Sequence, residues 1–128
     1  MIEVVAGIIM QNDLILIARR APHKSHPGKW EFPGGKIEKF ETPETALERE
    51  LKEEFTIQTK TGRFITSTIH DYGTFQINLL AYYSDYISGD FILIDHDKIT
   101  WVKVQELLLY DLAEADIFIV KTIINLMI

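Results

Sequence analysis

Three glutamates, Glu50, Glu53 and Glu54, lie in the run Arg49-Glu50-Leu51-Lys52-Glu53-Glu54. On a helix these positions are i, i+3 and i+4 neighbours, so the carboxylates share about one turn. Like charges at that spacing oppose helix formation by a few tenths of a kcal/mol per pair, which favours a site that gathers a hard divalent cation with oxygen ligands. Mg²⁺ is the natural guest, with Mn²⁺ a possible substitute. Upstream, Trp30-Glu31-Phe32-Pro33-Gly34-Gly35-Lys36 supplies a second half of the signal. Its glycines let the backbone approach a ligand closely and leave carbonyls exposed as hard donors. Carboxylates beside a glycine turn suggest phosphate chemistry. The bland alternative is an ordinary solvated helix face, since Glu48 to Glu54 is interleaved with Arg49 and Lys52.

The elements that would position these groups can be read around them. Thr42-Pro43 reads as an N-cap followed by proline at the first helical position, and good helix formers continue to Phe55. In that helix Leu47, Leu51 and Phe55 form one apolar stripe at four-residue spacing, with the glutamates beside it. Ile2 to Met10 and Leu14 to Ile17, separated by Gln11-Asn12-Asp13, predict a hairpin running toward Arg19-Arg20. Arg63 to Asp71 and Thr74 to Tyr86 flank Tyr72-Gly73 as two longer strands, and Thr100 to Val104 predicts a short later one. Glu114 to Ile128, apolar on nearly every side, reads as a helix buried against the sheet. These elements imply one domain over residues 1–128, an α/β fold with a mixed sheet between helices.

What lifts the glutamates above the bland reading is fixed spacing. Gly35, five residues, Glu41, seven residues, Arg49-Glu50, Leu51, one residue, Glu53-Glu54, and an apolar Ile57 form one pattern. At background frequencies of several per cent per residue, a chance match at a given start falls below about one in a million. The pattern resembles the Nudix box of the Nudix hydrolases, and the Trp30 to Lys36 stretch is similar to the MutT-like branch that cleaves nucleoside triphosphates. Arg19-Arg20 and the late Asp95-His96-Asp97 before Trp101-Val102 sit where that branch carries related elements. There are two departures: Thr56 stands where the family has its second glycine, and Phe40 where a glycine often precedes the box glutamate. The first puts the turn after the helix in doubt.

The resemblance implies a Nudix α/β/α sandwich and a set of roles. The carbonyl of Gly35 with Glu50, Glu53 and Glu54 would hold metal, Glu50 also orienting or deprotonating water. Asp95 is a candidate late carboxylate reaching metal through water, or else a turn residue. Arg49 is either a surface cation or the arginine that pairs with Glu41 and holds the Gly34-Gly35 loop against the helix, a fork well suited to fixing geometry. Arg20 is a candidate phosphate clamp or the end of an edge strand; Lys36 and Lys29 are weaker candidates. Glu31 and Phe32 fall in the stretch expected to line the substrate. Asp116 falls on the segment that carries a polar base-reading residue, with helix capping the alternative; ionised, it would only accept hydrogen bonds and disfavour thymine. Phe75 could stack on the base, though a strand aromatic more ordinarily packs in a core. His23, His26, His70 and His96 show no ligand spacing on a helix and read as loop or surface residues.

Composition sets limits independently. At 128 residues and 47% hydrophobic, the chain buries a core without staples. Having no Cys excludes disulfides and thiolate sites, and no basic leader or apolar run of about 18 residues indicates secretion or a membrane span. A cytoplasmic protein, monomer or homodimer, is expected. A net charge of −6 argues against a nucleic-acid polymer as partner, since polymer binding relies on clustered Lys and Arg. Small nucleoside di- and triphosphates remain, because a bound cation reverses the local field. The leading expectation is Mg²⁺-dependent hydrolysis of a nucleoside triphosphate to monophosphate and pyrophosphate, clearing oxidised or non-standard nucleotides. The alternatives are a nucleotide-sugar or ADP-ribose diphosphatase, or a non-catalytic nucleotide-binding module.

Overall fold

Strand β1 (Ile2–Gln11) is buried on both faces, which is why its sequence reads as a continuous apolar run. In the computed structural model, which describes residues 1–127, successive β1 side chains divide between two cores. Val5 and Ile9 face α1 (Pro43–Phe55), together with Leu16 and Ala18 of β2 (Leu14–Arg20). Ala6 and Ile8, with Ile15 and Ile17, face α2 (Glu114–Leu126). A period-two strand between two helices therefore makes the expected α/β/α sandwich.

The sheet is mixed. β1 pairs antiparallel with β2 and parallel with β6 (Gln76–Ser88), which pairs antiparallel with β5 (Gln58–Asp71). β2 pairs in turn with β7 (His96–Lys103) and with the two-residue β3 (Trp30–Glu31), while β4 (Gly34–Lys36) pairs with β1. Strands β3 and β4 were not expected; their glycines and proline mark a turn, and only the neighbouring strands give them partners. β5 starts earlier than expected, β6 begins two residues later and extends to Ser88, and β7 begins at His96. A short 3-10 helix, Val104–Leu109, precedes α2. The expected last residue of α2, Ile128, lies outside the described residues. Among those, no helix is long and apolar enough to cross a membrane.

Helix α1 forms as its sequence requires. Thr42 accepts from the Thr45 N–H, and the Thr45 hydroxyl accepts from the Thr42 N–H, a reciprocal cap. Leu47, Leu51 and Phe55 are fully buried. At its C-terminus Thr56 adopts the left-handed conformation (φ 57°) that the family glycine would take more easily. The turn closes regardless. The Thr56 N–H reaches the Lys52 carbonyl at 3.0 Å, and its hydroxyl donates toward Phe55 O (2.7 Å) and Asp90 O (2.9 Å). Phe40 is likewise left-handed (φ 70°) and 95% exposed, so both departures keep a glycine-like backbone without the glycine.

Candidate active site

The loop Gly34–Gly35 is pressed between β1 and α1. A Cβ on Gly34 would lie 1.9 Å from the Val5 carbonyl oxygen, so any side chain there would break the β1–β4 pairing. A Cβ on Gly35 would lie 2.3 Å from the carboxyl carbon of Glu50. Glycine is therefore what lets the Glu50 carboxylate lie against the loop backbone.

Arg49 locks that arrangement. Its Nε and Nη2 donate to the two oxygens of Glu41 at 2.7 and 2.9 Å, and Nη2 also reaches the Lys36 carbonyl at 3.0 Å. Nη1 donates to Glu50 Oε1 and Glu53 Oε2, both at 3.1 Å. The Arg49 fork, followed by the Glu38 N–H, holds the Glu41 carboxyl below its ordinary range, and Glu41 in turn raises the guanidinium. Arg49 is thus a half-buried partner of Glu41 and not a free surface cation.

Glu54 faces inward from the same helix. Burial first, and then the charges of Glu50, Glu31 and Asp95, push its carboxyl up to about 8. Burial also raises Glu50, against the opposing pull of Arg49. Glu53 is different: its side chain is 60% exposed and, among the described residues, held only by Arg49. Among the described residues no three carboxylate or imidazole groups are gathered around one point closely enough to ligate an ion. Arg49 keeps Glu50 and Glu53 engaged, and ionised neighbours repel. The donor set nevertheless fits a hard cation: all-oxygen, partly buried, and electrostatically frustrated without positive charge.

A second cluster completes the wall. The β2–β7 pairing shifts register between Arg19 and Arg20, a bulge that separates the roles of the two arginines. Arg19 pairs with Asp97 and lies over Trp30, 5.7 Å from the ring centroid. Arg20 donates to Ser25 O (2.6 Å), Ser25 Oγ (3.1 Å) and Glu31 Oε2 (3.2 Å). β2 is flanked on both sides, so Arg20 does not end an edge strand. His96, expected at the surface, is buried, with Nε2 2.8 Å from Glu31 Oε2 and its ring stacked on Phe55. Lone-residue spacing held no trace of that role. Asp95 pairs with Lys24 at 3.5 Å, and Lys29 with Asp111 at 2.7 Å.

A cavity of about 230 Å³ runs from Gly35 and Glu54 past Arg20 and Glu31 to Asp116. It shares Arg20, Glu31 and Tyr72 with a larger space of about 610 Å³. These carboxylates and glycines lie within a chain whose residues 1–122 match the NUDIX domain model. The chain belongs to the Nudix family.

Among relatives of this Nudix domain, the CTP pyrophosphohydrolase of Escherichia coli K12 is 38% identical over 117 residues, 91% of this chain and 87% of that protein. The 8-oxo-dGTP diphosphatase of Proteus vulgaris is 44% identical over 80 residues, 61% of this chain and 70% of that one. The solution structure of the E. coli ORF135 protein superposes with a TM-score of 0.89 at 36% identity, covering 98% of this chain and 90% of that one. A MutT Nudix hydrolase from Burkholderia pseudomallei, at 22% identity, TM-score 0.83 and coverage of 95% and 97%, shares the fold. The protein is thus a Nudix hydrolase acting on phosphoanhydride bonds, and the reading as a non-catalytic module falls away.

The remaining predicted residues of the Nudix site sort as follows. Phe32 is in the α2-side core, and its N–H donates to Asp116 Oδ2 at 3.1 Å. Asp116 does not cap α2, whose N-cap is Ala113; it is buried, and burial, then the charge of Glu31, push it up to about 8 despite the Phe32 bond. Expected to accept only when ionised, its carboxyl is instead shifted toward the protonated form, which has an O–H to donate. Phe75 lies in the β5–β6 turn, not in a strand or core: it is 47% exposed, stacks on Tyr72 at 5.1 Å, and lines the larger space.

Proposed function

We propose that this single Nudix domain is a Mg²⁺-dependent nucleoside triphosphate pyrophosphohydrolase, converting NTP and water to NMP and pyrophosphate and acting on a non-standard or cytosine nucleotide. The observation that carries the proposal is the half-buried Glu54 carboxyl, pushed up to about 8 by desolvation and then by the charges of Glu50, Glu31 and Asp95. Glu50 against a glycine loop and Glu54 beside it, with the charges of Glu31 and Asp95 bearing on Glu54, are a poor arrangement for a protein alone and a good one near a cation. The similarity to the E. coli CTP pyrophosphohydrolase over 91% of the chain supports the same reaction.

Glu50, Glu53, Glu54 and the Gly35 carbonyl would hold the metal, with Asp95 acting through water; Mn²⁺ could substitute. When bound, the ion neutralises phosphate oxygens and lowers the pKa of an attacking water. Arg49 and Glu41 keep the loop and helix in register. Arg20 supplies a planar cation for phosphate at the mouth of the shared cavity. At the far end, the Asp116 carboxylic acid offers one donor and one acceptor side by side, a match for the N3 and N4 edge of cytosine or the N7–H and O6 edge of 8-oxoguanine. Phe75 and Tyr72 offer an aromatic face for stacking.

The test is a pyrophosphate-release screen with Mg²⁺ over CTP, dCTP, 8-oxo-dGTP, TTP, ADP-ribose and UDP-glucose. Pyrophosphate from the triphosphates, with nucleoside monophosphate as co-product, supports the reading. Turnover confined to ADP-ribose or the nucleotide sugar overturns it.

A further inference from the structure

Glu31 receives two donors on one oxygen. Arg20 Nη1 (3.2 Å) and His96 Nε2 (2.8 Å) both reach Oε2, and among the described residues Oε1 has no hydrogen-bond partner. Glu31 also lines both cavities, and its charge bears on Glu54 at one end and Asp116 at the other. It therefore sits between the reacting end and the base end of the site.

His96 is built to hold it there. The imidazole is 1% exposed, and its ring lies on Phe55 at 5.1 Å with an interplanar angle of 22°. Phe55 follows Glu54 directly in α1, and His96 follows Asp95 at the start of β7. A carboxylate only accepts, so Nε2 must carry the hydrogen in this contact. Nδ1 is buried with no partner among the described residues, so a hydrogen there would meet no acceptor among them. Both observations select the Nε2–H tautomer.

We propose that His96 is a positioning residue: its Nε2–H, with Arg20, saturates Oε2 of Glu31 and leaves Oε1 as the acceptor that a substrate N–H or O–H meets in the cavity. This rests on the pyrophosphohydrolase reading. The flat stack on Phe55 fixes the ring relative to α1, so Glu31 is held in register with the glutamates without bonding to them. An otherwise unexplained buried histidine thus gains a geometric task.

The experiment separates donor from packing. His96→Gln retains an N–H donor but loses the ring; His96→Phe retains the stack but loses the donor. We expect His96→Phe to lower kcat/KM on the preferred triphosphate by about tenfold or more, the scale of a lost hydrogen bond to a charged group, and His96→Gln to recover most of it. In a Glu31→Gln background the difference between the two should vanish. The reverse order, with Phe active and Gln inactive, makes His96 a packing residue and overturns the proposal. A readout that needs no variant is the long-range ¹H–¹⁵N spectrum of the wild-type imidazoles. An Nε2–H tautomer for His96 supports the assignment and an Nδ1–H tautomer rejects it, even if no triphosphate proves to be a substrate, a result that would sink only the functional reading.

Discussion

Two arginine–glutamate pairs flank the glycine loop, and their side chains are similarly exposed, 24% and 19% for Arg49–Glu41 against 20% and 21% for Arg20–Glu31. Their geometry differs. Arg49 grips both oxygens of Glu41 and spends its remaining donors on Lys36, Glu50 and Glu53. Arg20 makes one longer bond to Glu31 and anchors to Ser25, leaving a carboxylate oxygen for the cavity. Exposure alone would rank the pairs equal. Donor saturation tells the brace from the part that can meet a ligand.

Glu54 lies between them electrostatically, pressed by Glu50 from the Arg49 side and by Glu31 from the Arg20 side. The largest expected effect is therefore that of Glu54→Gln. Turnover should fall by about a thousandfold or more, as for removal of a group used chiefly in the transition state. The metal-free fold should hold, because glutamine resembles the protonated acid. The pH dependence has a definite sign. With a folded pKa raised from 4.5 to about 8, the native state binds more protons than the unfolded chain, so wild-type stability falls as pH rises through that window. Glu54→Gln should make the fall shallower, leaving the share due to the similarly raised Asp116, and Mg²⁺ should restore wild-type Tm at pH 8 but not that of the variant. Urea midpoints from pH 5 to 8 check this; a slope unchanged in Glu54→Gln would remove Glu54 from the cluster.

Next comes the brace. Arg49→Ala should lower both Tm and activity, the latter by about a hundredfold, and Arg49→Lys should recover little because a point charge cannot make the fork. By contrast Arg20→Lys should raise KM by about tenfold, with Tm nearly unchanged, as a phosphate contact would require. If Arg20→Lys unfolds the protein and Arg49→Lys is silent, the two pairs have exchanged roles.

A smaller effect should appear at the base end. Because Asp116 is pushed up to about 8, the ratio of kcat/KM for CTP to that for TTP should rise between pH 7 and 9. Over that range the acid loses the O–H that cytosine N3 and thymine O4 both accept, and the carboxylate can still accept from the cytosine amine while the thymine carbonyls repel it. Asp116→Asn should make the ratio insensitive to pH. A wild-type ratio constant across that range would detach Asp116 from the base.

The smallest effects lie at the two left-handed positions. Phe40→Gly should stabilise the fold by about 1 kcal/mol, the scale of the Cβ clash in that conformation. Thr56→Gly should gain less, since the hydroxyl that ties Phe55 and Asp90 goes with it. Thermal melts distinguish the two.

What could be read from sequence follows the range of the interactions. Helix α1, its cap and its apolar stripe are local, and the i, i+3, i+4 glutamates follow from them. The Arg49–Glu41 pair spans eight residues, and the spacing of the box carries it. The His96–Glu31 contact spans 65 residues and the Asp116–Phe32 contact 84. No periodicity encodes those, so His96 read as a surface residue and Asp116 as an ionised acceptor or a cap. From sequence Phe75 falls in the strand Thr74 to Tyr86 that follows the Tyr72-Gly73 turn. The tight turn at Tyr72–Phe75, closed by Asp71 accepting from the Gly73 N–H at 2.7 Å, takes it out of that strand.

The parallel register of β1 with β6 joins Ile2 to Ile77 and Ile9 to Ser84. On the ribosome, the whole glutamate helix emerges before the strand that completes the wall behind it. Each β1 residue in that ladder waits for a partner 75 positions later, so this hydrogen-bonding edge of β1 stays unpaired until β6 emerges. Loop closure over such a distance is slow, and an unpaired apolar strand invites association with other chains. The hydrolase should therefore depend on chaperone shelter during synthesis more than a fold of the same size built from local hairpins, and a nascent chain stalled before residue 76 should carry the box yet lack a site.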